Sequence, residues 1–139
     1  MSNEDVKALL RRWTDAWNEH DPDSAAALLK ENYVRHDTNG PDVIGPAGAK
    51  MFLRGIFDAF PDLRLEVTAL IAENHLVAVR YTVTGTHTGE FNGIPPSGRN
   101  VDFQAHDWFS VDDGKISEQW VIIDVLGLLQ QIGAIPPTN

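Results

Sequence analysis

The 139-residue sequence contains no cysteine, which excludes disulfides, thiolate catalysis and zinc–thiolate sites. It also contains no basic run, and its net charge is −9, which argues against nucleic acid or an anionic membrane surface as a partner. No apolar stretch approaches the roughly 20 residues of a membrane-spanning helix. The acidic start, MSNEDVKALLRRW, lacks the apolar segment of a signal peptide. We therefore expect a cytoplasmic protein with no nucleic-acid or membrane partner.

Metal-binding motifs are also missing. No HExxH or similar ligand spacing occurs, and the five histidines are scattered along the chain. The sequence therefore predicts no metal site and no cofactor.

Helical patterns dominate the first 60 residues. From Asn3 to Asn18, apolar residues recur every three or four positions and form one stripe that includes Trp13 and Trp17. A second helix is predicted to start at DPD, with Asp21 as the N-cap, and a third covers residues 46–60. A short strand, NYVRHD, is predicted between the second and third helices.

The second half of the chain alternates between apolar and polar residues, as strands do. Four long strands are predicted, within residues 63–72, 75–87, 100–111 and 116–125, and a short helix follows them. On the strand within residues 63–72, one face is expected to carry Leu63, Leu65, Val67, Ala69 and Ile71. Helices followed by an antiparallel meander predict an α+β fold, with residues 1–139 as a single domain and the helices laid across a strongly bent sheet.

A carboxylate interrupts one of these strands. In QAHDWFSVDD, residues 104–113, the alternation puts Asp107 on the apolar face. Burial in an apolar cavity would raise its pKa towards the range of a useful base. Alternatively, Asp107 is a structural charge that pairs with Arg35 or Arg80, or that faces a dimer contact. His106 points to the opposite face, so the two neighbours do not make a catalytic dyad.

Three segments of the sequence are similar to a known family. GTHTGEFNGIPPSGRNVDF, DDGKISEQW and DVLGLLQQIGAIP resemble the SnoaL-like polyketide cyclases of the nuclear transport factor 2-like superfamily. The resemblance implies a cone-shaped α+β fold, in which the helices and a curved antiparallel sheet enclose an apolar cavity. It also implies a homodimer through the outer face of the sheet. In the cyclases it implies a cofactor-free intramolecular aldol closure that depends on one acid/base carboxylate.

The resemblance can be followed to individual positions. In the anthracycline cyclases of the family, the acid/base Asp lies on the last long strand, five residues after the Ile of the DGKI turn. That position is Val121 in this sequence. A pocket His on the preceding strand corresponds to Asp107, and a pocket Asn after the Tyr of the first strand corresponds to Arg35. The polar positions of those cyclases are therefore all changed here.

Two interpretations of Arg35 remain open. It either clamps a carboxylate or enolate of a substrate, or it holds Asp107 ionised and lowers its pKa. An Asp–Arg pair would also resemble the epoxide hydrolases of the superfamily, which use further carboxylates to activate water. The strand patterns place no second carboxylate on this face. Asp124 has the opposite parity from Val121 and is expected to cap the last helix.

Further residues are candidates for contacts with a ligand. Trp13 and Trp17 are either core residues or aromatic walls for a flat ligand, and these roles are compatible. His87 either faces the cavity mouth or is a hydrogen-bonded residue near a strand end. The tip of the loop FNGIPPSGR, at Phe91 and Ile94, either closes the cavity or packs in the core. The full set of predicted ligand-binding residues is Trp13, Trp17, Tyr33, His87, Phe109, Gln119 and Val121.

Together these observations predict a protein that binds a small, largely apolar molecule. As an enzyme, it would carry out acid/base chemistry, such as cyclisation, isomerisation, dehydration or hydrolysis, with Asp107 as the base and Arg35 as its electrostatic partner. The alternative is a non-catalytic binding module, which Val121 at the family's acid/base position favours. Trp108 and Trp120 share the outer face of adjacent strands, which predicts a homodimer.

Overall fold

Within the described residues, three helices precede the four long strands of the meander, one helix follows them, and all strands belong to one sheet. A computed structural model describes residues 1–137, so the last two residues of the predicted 1–139 domain lie outside the described residues. The elements are α1 (Asn3–Asn18), α2 (Pro22–Ala26), β1 (Leu29–Asp37), β2 (Val43–Ile44), α3 (Gly45–Ala59), β3 (Arg64–Glu73), β4 (Leu76–Thr86), β5 (Asn100–Asp112), β6 (Lys115–Ile123) and α4 (Val125–Gln131). Within residues 1–137, no helix is long and apolar enough to cross a membrane. The predicted α+β fold class is confirmed.

Local sequence signals explain where the helices begin. The Ser2 hydroxyl accepts the backbone N–H of Asp5, and the Asp5 carboxylate accepts the backbone N–H of Ser2, so a capping box starts α1. Asp21 caps α2 and Pro22 occupies its first turn, as the sequence predicts. Asp124 accepts the N–H of Gly127 and caps α4, which confirms its predicted structural role.

The sheet is mixed rather than wholly antiparallel. Its strand order is β2-β1-β6-β5-β4-β3, and the four strands from β3 to β6 form the expected antiparallel meander. Strand β1, however, pairs in parallel with β6, which corrects the prediction of an antiparallel sheet. The alternation of side chains is the same beside a parallel or an antiparallel neighbour, so the sequence pattern does not reveal this pairing.

Face assignments are confirmed on β5 and corrected on β3. On β5, Asp107 and Phe109 are buried, whereas Trp108 is 53% exposed, as the period-two pattern predicts. On β3, a bulge between Val67 and Ala69 reverses the faces. Beyond the bulge Ile71 is therefore exposed, and Leu70 packs against the core instead. Val67 lies before the bulge, opposite the buried Tyr81, but is 37% exposed.

The loop of residues 87–99 is fastened to the end of α3. The backbone N–H groups of Thr88 and Gly89 both donate to the carbonyl oxygen of Ala59, at 3.1 Å each. Gly89 lies so close to α3 that a Cβ at this position would collide with the carbonyl oxygen of Asp58. Glycine is therefore required here because two backbone segments touch.

This contact predicts that Gly89→Ala lowers the free energy of unfolding by roughly 1–3 kcal/mol, since overpacking forces the loop off the helix. The control is Gly55→Ala on α3, where nothing lies within 4 Å of the new Cβ. In a helix that change is expected to be neutral or stabilising. Urea unfolding of both variants measures the difference. A Gly89→Ala protein as stable as the Gly55→Ala protein would contradict the packing argument.

Candidate active site

A cavity of about 530 Å³ lies between the helices and the inner face of the sheet. Its volume falls in the range of small-molecule sites, roughly 300–1,000 Å³. Most of its wall is apolar, and α1, α3 and α4 contribute Trp13, Trp17, Phe52, Ile56, Leu128 and Leu129. A ligand in this space would bury a large apolar surface against these side chains.

Polar side chains gather on three neighbouring strands of the cavity wall. The strand register sets them in two adjacent rows. In one row Asp37 of β1 lies opposite Val121 of β6, which lies opposite Asp107 of β5. In the next row Arg35 of β1 lies opposite Gln119 of β6. These five side chains all line the cavity, so one patch of an otherwise apolar wall carries charge and hydrogen-bonding groups.

Asp107 is 6% exposed, and its side chain has a single hydrogen bond to the part of the protein that the structure describes. Its Oδ2 accepts the side-chain N–H of Gln119 at 2.9 Å, and its Oδ1 has no partner within residues 1–137. Burial raises the pKa of Asp107 to about 6, although Arg35 and the Gln119 hydrogen bond act in the lowering direction and Asp37 adds to the rise. This carboxyl group therefore titrates near pH 6.

Arg35 pairs with Asp37 rather than with Asp107. Its Nη2 lies 3.7 Å from Oδ2 of Asp37, and its guanidinium carbon lies 4.4 Å from the ring centroid of Phe52. In residues 1–137, Arg35 and Asp107 form neither an ion pair nor a hydrogen bond, and Arg35 Nε has no partner. Arg35 therefore lowers the pKa of Asp107 only at a distance, and burial outweighs it.

Asp37 is a cavity residue that the sequence analysis missed. It lies on β1 two residues after Arg35, so both side chains point to the same face. The expectation that no second carboxylate lies on this face is therefore corrected. The parity of NYVRHD contained the signal, but only the parallel pairing of β1 with β6 brings Asp37 into the row of Asp107.

The other predicted ligand-binding residues fall into two groups. Trp13, Trp17, Gln119 and Val121 line the cavity, and the two Trp rings meet edge to face at 6.1 Å. The remaining three are fully or almost fully buried but are not among the residues that line it: Tyr33, His87 and Phe109. Tyr33 and Phe109 lie behind its wall, where the Tyr33 hydroxyl donates to Gln119 Oε1 at 2.6 Å and Phe109 contacts the ring of Trp13.

His87 lies beside Phe60, just after the end of β4. Its Nδ1 accepts the backbone N–H of Ser97 at 3.2 Å and lies 2.9 Å from the Ser97 hydroxyl. This geometry matches the hydrogen-bonded alternative for His87. The tip of the same loop does reach the cavity, where Phe91 and Ile94 line the wall and Phe91 packs on Phe60 at 5.4 Å.

Unpaired polar atoms indicate what the cavity can bind. Four buried side-chain atoms lack a hydrogen-bond partner in residues 1–137, and three of them belong to cavity-lining residues, namely Trp17 Nε1, Arg35 Nε and Asp107 Oδ1. A buried polar atom without a partner costs about 1–3 kcal/mol, so a ligand is favoured that offers oxygen acceptors to the two N–H groups and a hydroxyl donor to the carboxylate. Within residues 1–137, no three His, Asp or Glu side chains are grouped in a way that would hold a metal ion.

Comparison with known proteins identifies the family to which this chain belongs. The sequence model of the SnoaL-like polyketide cyclases matches residues 7–132, and the chain belongs to that family. The aklanonic acid methyl ester cyclases DauD of Streptomyces sp. (strain C5) and DnrD of Streptomyces peucetius are each 27% identical over 135 residues. These matches cover 94% of this chain, 83% of DauD and 92% of DnrD.

Solved structures confirm the predicted nuclear transport factor 2-like fold. The crystal structure of AclR from Streptomyces galilaeus has a TM-score of 0.88 at 33% identity, over 99% of this chain and 87% of AclR. The structure of TsrD from Streptomyces laurentii has a TM-score of 0.87 at 30% identity, over 97% of this chain and 99% of TsrD. The similarity therefore extends over nearly the whole chain.

The buried carboxyl group predicts a pH-dependent loss of stability. Because the pKa of Asp107 is about 6 in the folded protein and 3.8 is its ordinary value, the folded state binds the proton more tightly. Ionisation therefore destabilises the fold as the pH rises from about 4 to about 7, by roughly 3 kcal/mol in total. Asp107→Asn removes this penalty, so at pH 7 the variant is expected to be at least as stable as the wild type.

Urea unfolding between pH 4 and pH 8 measures this effect as the difference in the free energy of unfolding between the wild type and Asp107→Asn. Asp112→Asn is the control, because Asp112 lies on the same strand but is exposed and bonded to Lys30. If Asp107→Asn were clearly less stable than wild type at pH 7, Asp107 would be a structural charge.

Proposed function

We propose that this protein binds a small, largely apolar molecule in its cavity and performs cofactor-free acid/base chemistry on it, with Asp107 as the base. The proposal rests on one observation: Asp107 lies directly across the β5–β6 ladder from Val121. Val121 is the position that corresponds to the acid/base Asp of the cyclases. Cβ atoms of directly opposed residues are about 4.5–5.5 Å apart, so a carboxylate moved by one strand still reaches the same part of the cavity.

The chemistry that suits this arrangement is an intramolecular aldol closure. Asp107 removes a proton from a carbon next to a carbonyl group, and the guanidinium of Arg35 stabilises the enolate oxygen. The enolate carbon then forms a bond to a second carbonyl carbon, and the new alkoxide takes the proton back from Asp107. No redox step or cofactor is required. The names of DauD and DnrD, both cyclases, support this reaction class.

A second candidate reaction is the activation of water for hydrolysis. It is favoured by the Arg35–Asp37 pair, because the cavity wall then holds a second carboxylate and a guanidinium in addition to Asp107. The non-catalytic alternative is favoured by the apolar Val121. We also retain the predictions of a single domain over residues 1–139, a cytoplasmic location and no metal or other cofactor.

The cyclase proposal is tested with aklanonic acid methyl ester as the substrate, followed by chromatography for ring closure. We expect turnover by the wild type and a loss of about 100-fold or more in Asp107→Asn, since general-base catalysis contributes roughly that much. Asp112→Asn should retain the wild-type rate. If the ester binds tightly but neither the wild type nor a variant closes the ring, the result would favour the non-catalytic binding module. Full turnover by Asp107→Asn would remove Asp107 from the mechanism.

We further propose a homodimer through the outer face of the sheet. Trp108 and Trp120 face each other across β5 and β6 and are 53% and 38% exposed, and Ile122 beside them is 61% exposed. Monomers seldom leave such an apolar patch uncovered. His36 stacks on Trp120 at 5.8 Å and bonds to Glu118, so polar groups border the patch.

Light scattering is therefore expected to give the dimer mass at micromolar concentration. Trp108→Arg should shift the protein towards the monomer mass, because it places a charge in the centre of the patch. Met51→Arg is the control, since Met51 is 73% exposed but lies on α3, away from this face. A wild-type monomer at that concentration would contradict the proposal.

A further inference from the structure

Three side chains form a hydrogen-bonded chain that runs from Tyr33, behind the cavity wall, to the proposed base. The Tyr33 hydroxyl donates to Gln119 Oε1 at 2.6 Å, and Gln119 Nε2 donates to Asp107 Oδ2 at 2.9 Å. Tyr33 and Gln119 are each 1% exposed, so water does not compete for these bonds. Tyr33 is not among the cavity-lining residues, which leaves it no direct contact with a ligand there.

The orientation of the Gln119 amide decides which form of Asp107 is favoured. An ionised carboxylate only accepts hydrogen bonds, so it requires the Nε2 side of the amide. If the amide were reversed, Oε1 would face Asp107, and only the protonated acid could donate to it. Among residues 1–137, the Tyr33 hydroxyl donates to Gln119 Oε1 and has no other acceptor. If the amide were reversed, the hydroxyl could accept from Nε2, but its own hydrogen would lose its acceptor. Tyr33 therefore favours the orientation with Nε2 towards Asp107.

We propose that Tyr33 is a positioning residue that fixes the Gln119 amide and thereby keeps Asp107 in its proton-accepting form. The chain of donors also leaves Oδ1, which has no partner among residues 1–137, as the oxygen that receives a proton. This inference rests on the proposed role of Asp107 as the base. It assigns Tyr33 a function that requires no contact with the substrate.

Within residues 1–137, few other groups influence the pKa of Asp107. The charged and titratable side chains that act on it or respond to it are Arg35, Asp37 and Tyr33 on β1 and Tyr81 on β4. Burial raises the pKa of both tyrosines, so they remain neutral at pH 7. Tyr81 bonds to Thr14 Oγ1 at 3.3 Å and not to Gln119, so it is a matched control for a buried hydroxyl near the same carboxylate.

The test measures the titration of the Asp107 carboxyl carbon by NMR in the ligand-free protein. Tyr33→Phe keeps the ring and removes the donor, so the midpoint should move upwards by about half to one pH unit, the equivalent of one hydrogen bond. Tyr81→Phe should leave the midpoint in place. An unchanged midpoint in Tyr33→Phe would overturn the inference.

A double-mutant cycle shows whether Tyr33 acts through Gln119. Gln119→Leu alone should also raise the midpoint, and adding Tyr33→Phe to it should cause no further shift. The same shift in both backgrounds would mean that Tyr33 acts independently, which overturns the inference. In the active enzyme, the acidic limb of the kcat/KM profile of Tyr33→Phe should move by the same increment. Because the titration needs no turnover, it separates this inference from the proposed reaction, which Asp107→Asn tests.

Discussion

A carboxyl group held in an apolar wall with one hydrogen bond is the constraint on which the site depends. Asp107 is buried on the inner face of β5, and Gln119 supplies its hydrogen bond. Without water, the ionised form is costly, and this cost is what raises the pKa to about 6. A protein that uses such a group has to tolerate a destabilised carboxylate near neutral pH. A loss of stability at this point is therefore expected of a functional site rather than a structural one.

The mixed sheet gives this carboxylate its neighbours. Antiparallel pairing of β5 with β6 sets Asp107 beside Val121, and parallel pairing of β6 with β1 adds Asp37 to the same row and Arg35 to the next. All of these side chains sit on strands, which hold their positions more firmly than loops do. The loops and α4 contribute mainly apolar atoms and complete the cavity above this polar patch. The division suits a ligand with one oxygen-bearing end.

Local patterns in the sequence were sufficient for much of this arrangement. Alternation along β5 placed Asp107 on the inner face, and capping residues located the starts of α2 and α4. Features that depend on pairing between distant segments were not accessible. The parallel β1–β6 ladder and the β3 bulge leave no trace in the hydrophobic period. The position of Asp37 in the row of Asp107 was therefore not predicted, and Ile71 was assigned to the wrong face.

The Arg35–Asp37 pair reconciles two requirements of the proposed chemistry. An enolate oxygen needs a strong donor, yet an unpaired guanidinium beside Asp107 would lower the pKa of the base and weaken it. Asp37 forms the ion pair with Arg35 and itself acts to raise the pKa of Asp107, while Arg35 Nε has no partner in the described part of the chain. The guanidinium therefore still offers an N–H to a developing charge. Asp107 meanwhile keeps its raised pKa. Arg35 can therefore donate a hydrogen bond to the enolate while Asp107 remains basic enough to accept a proton.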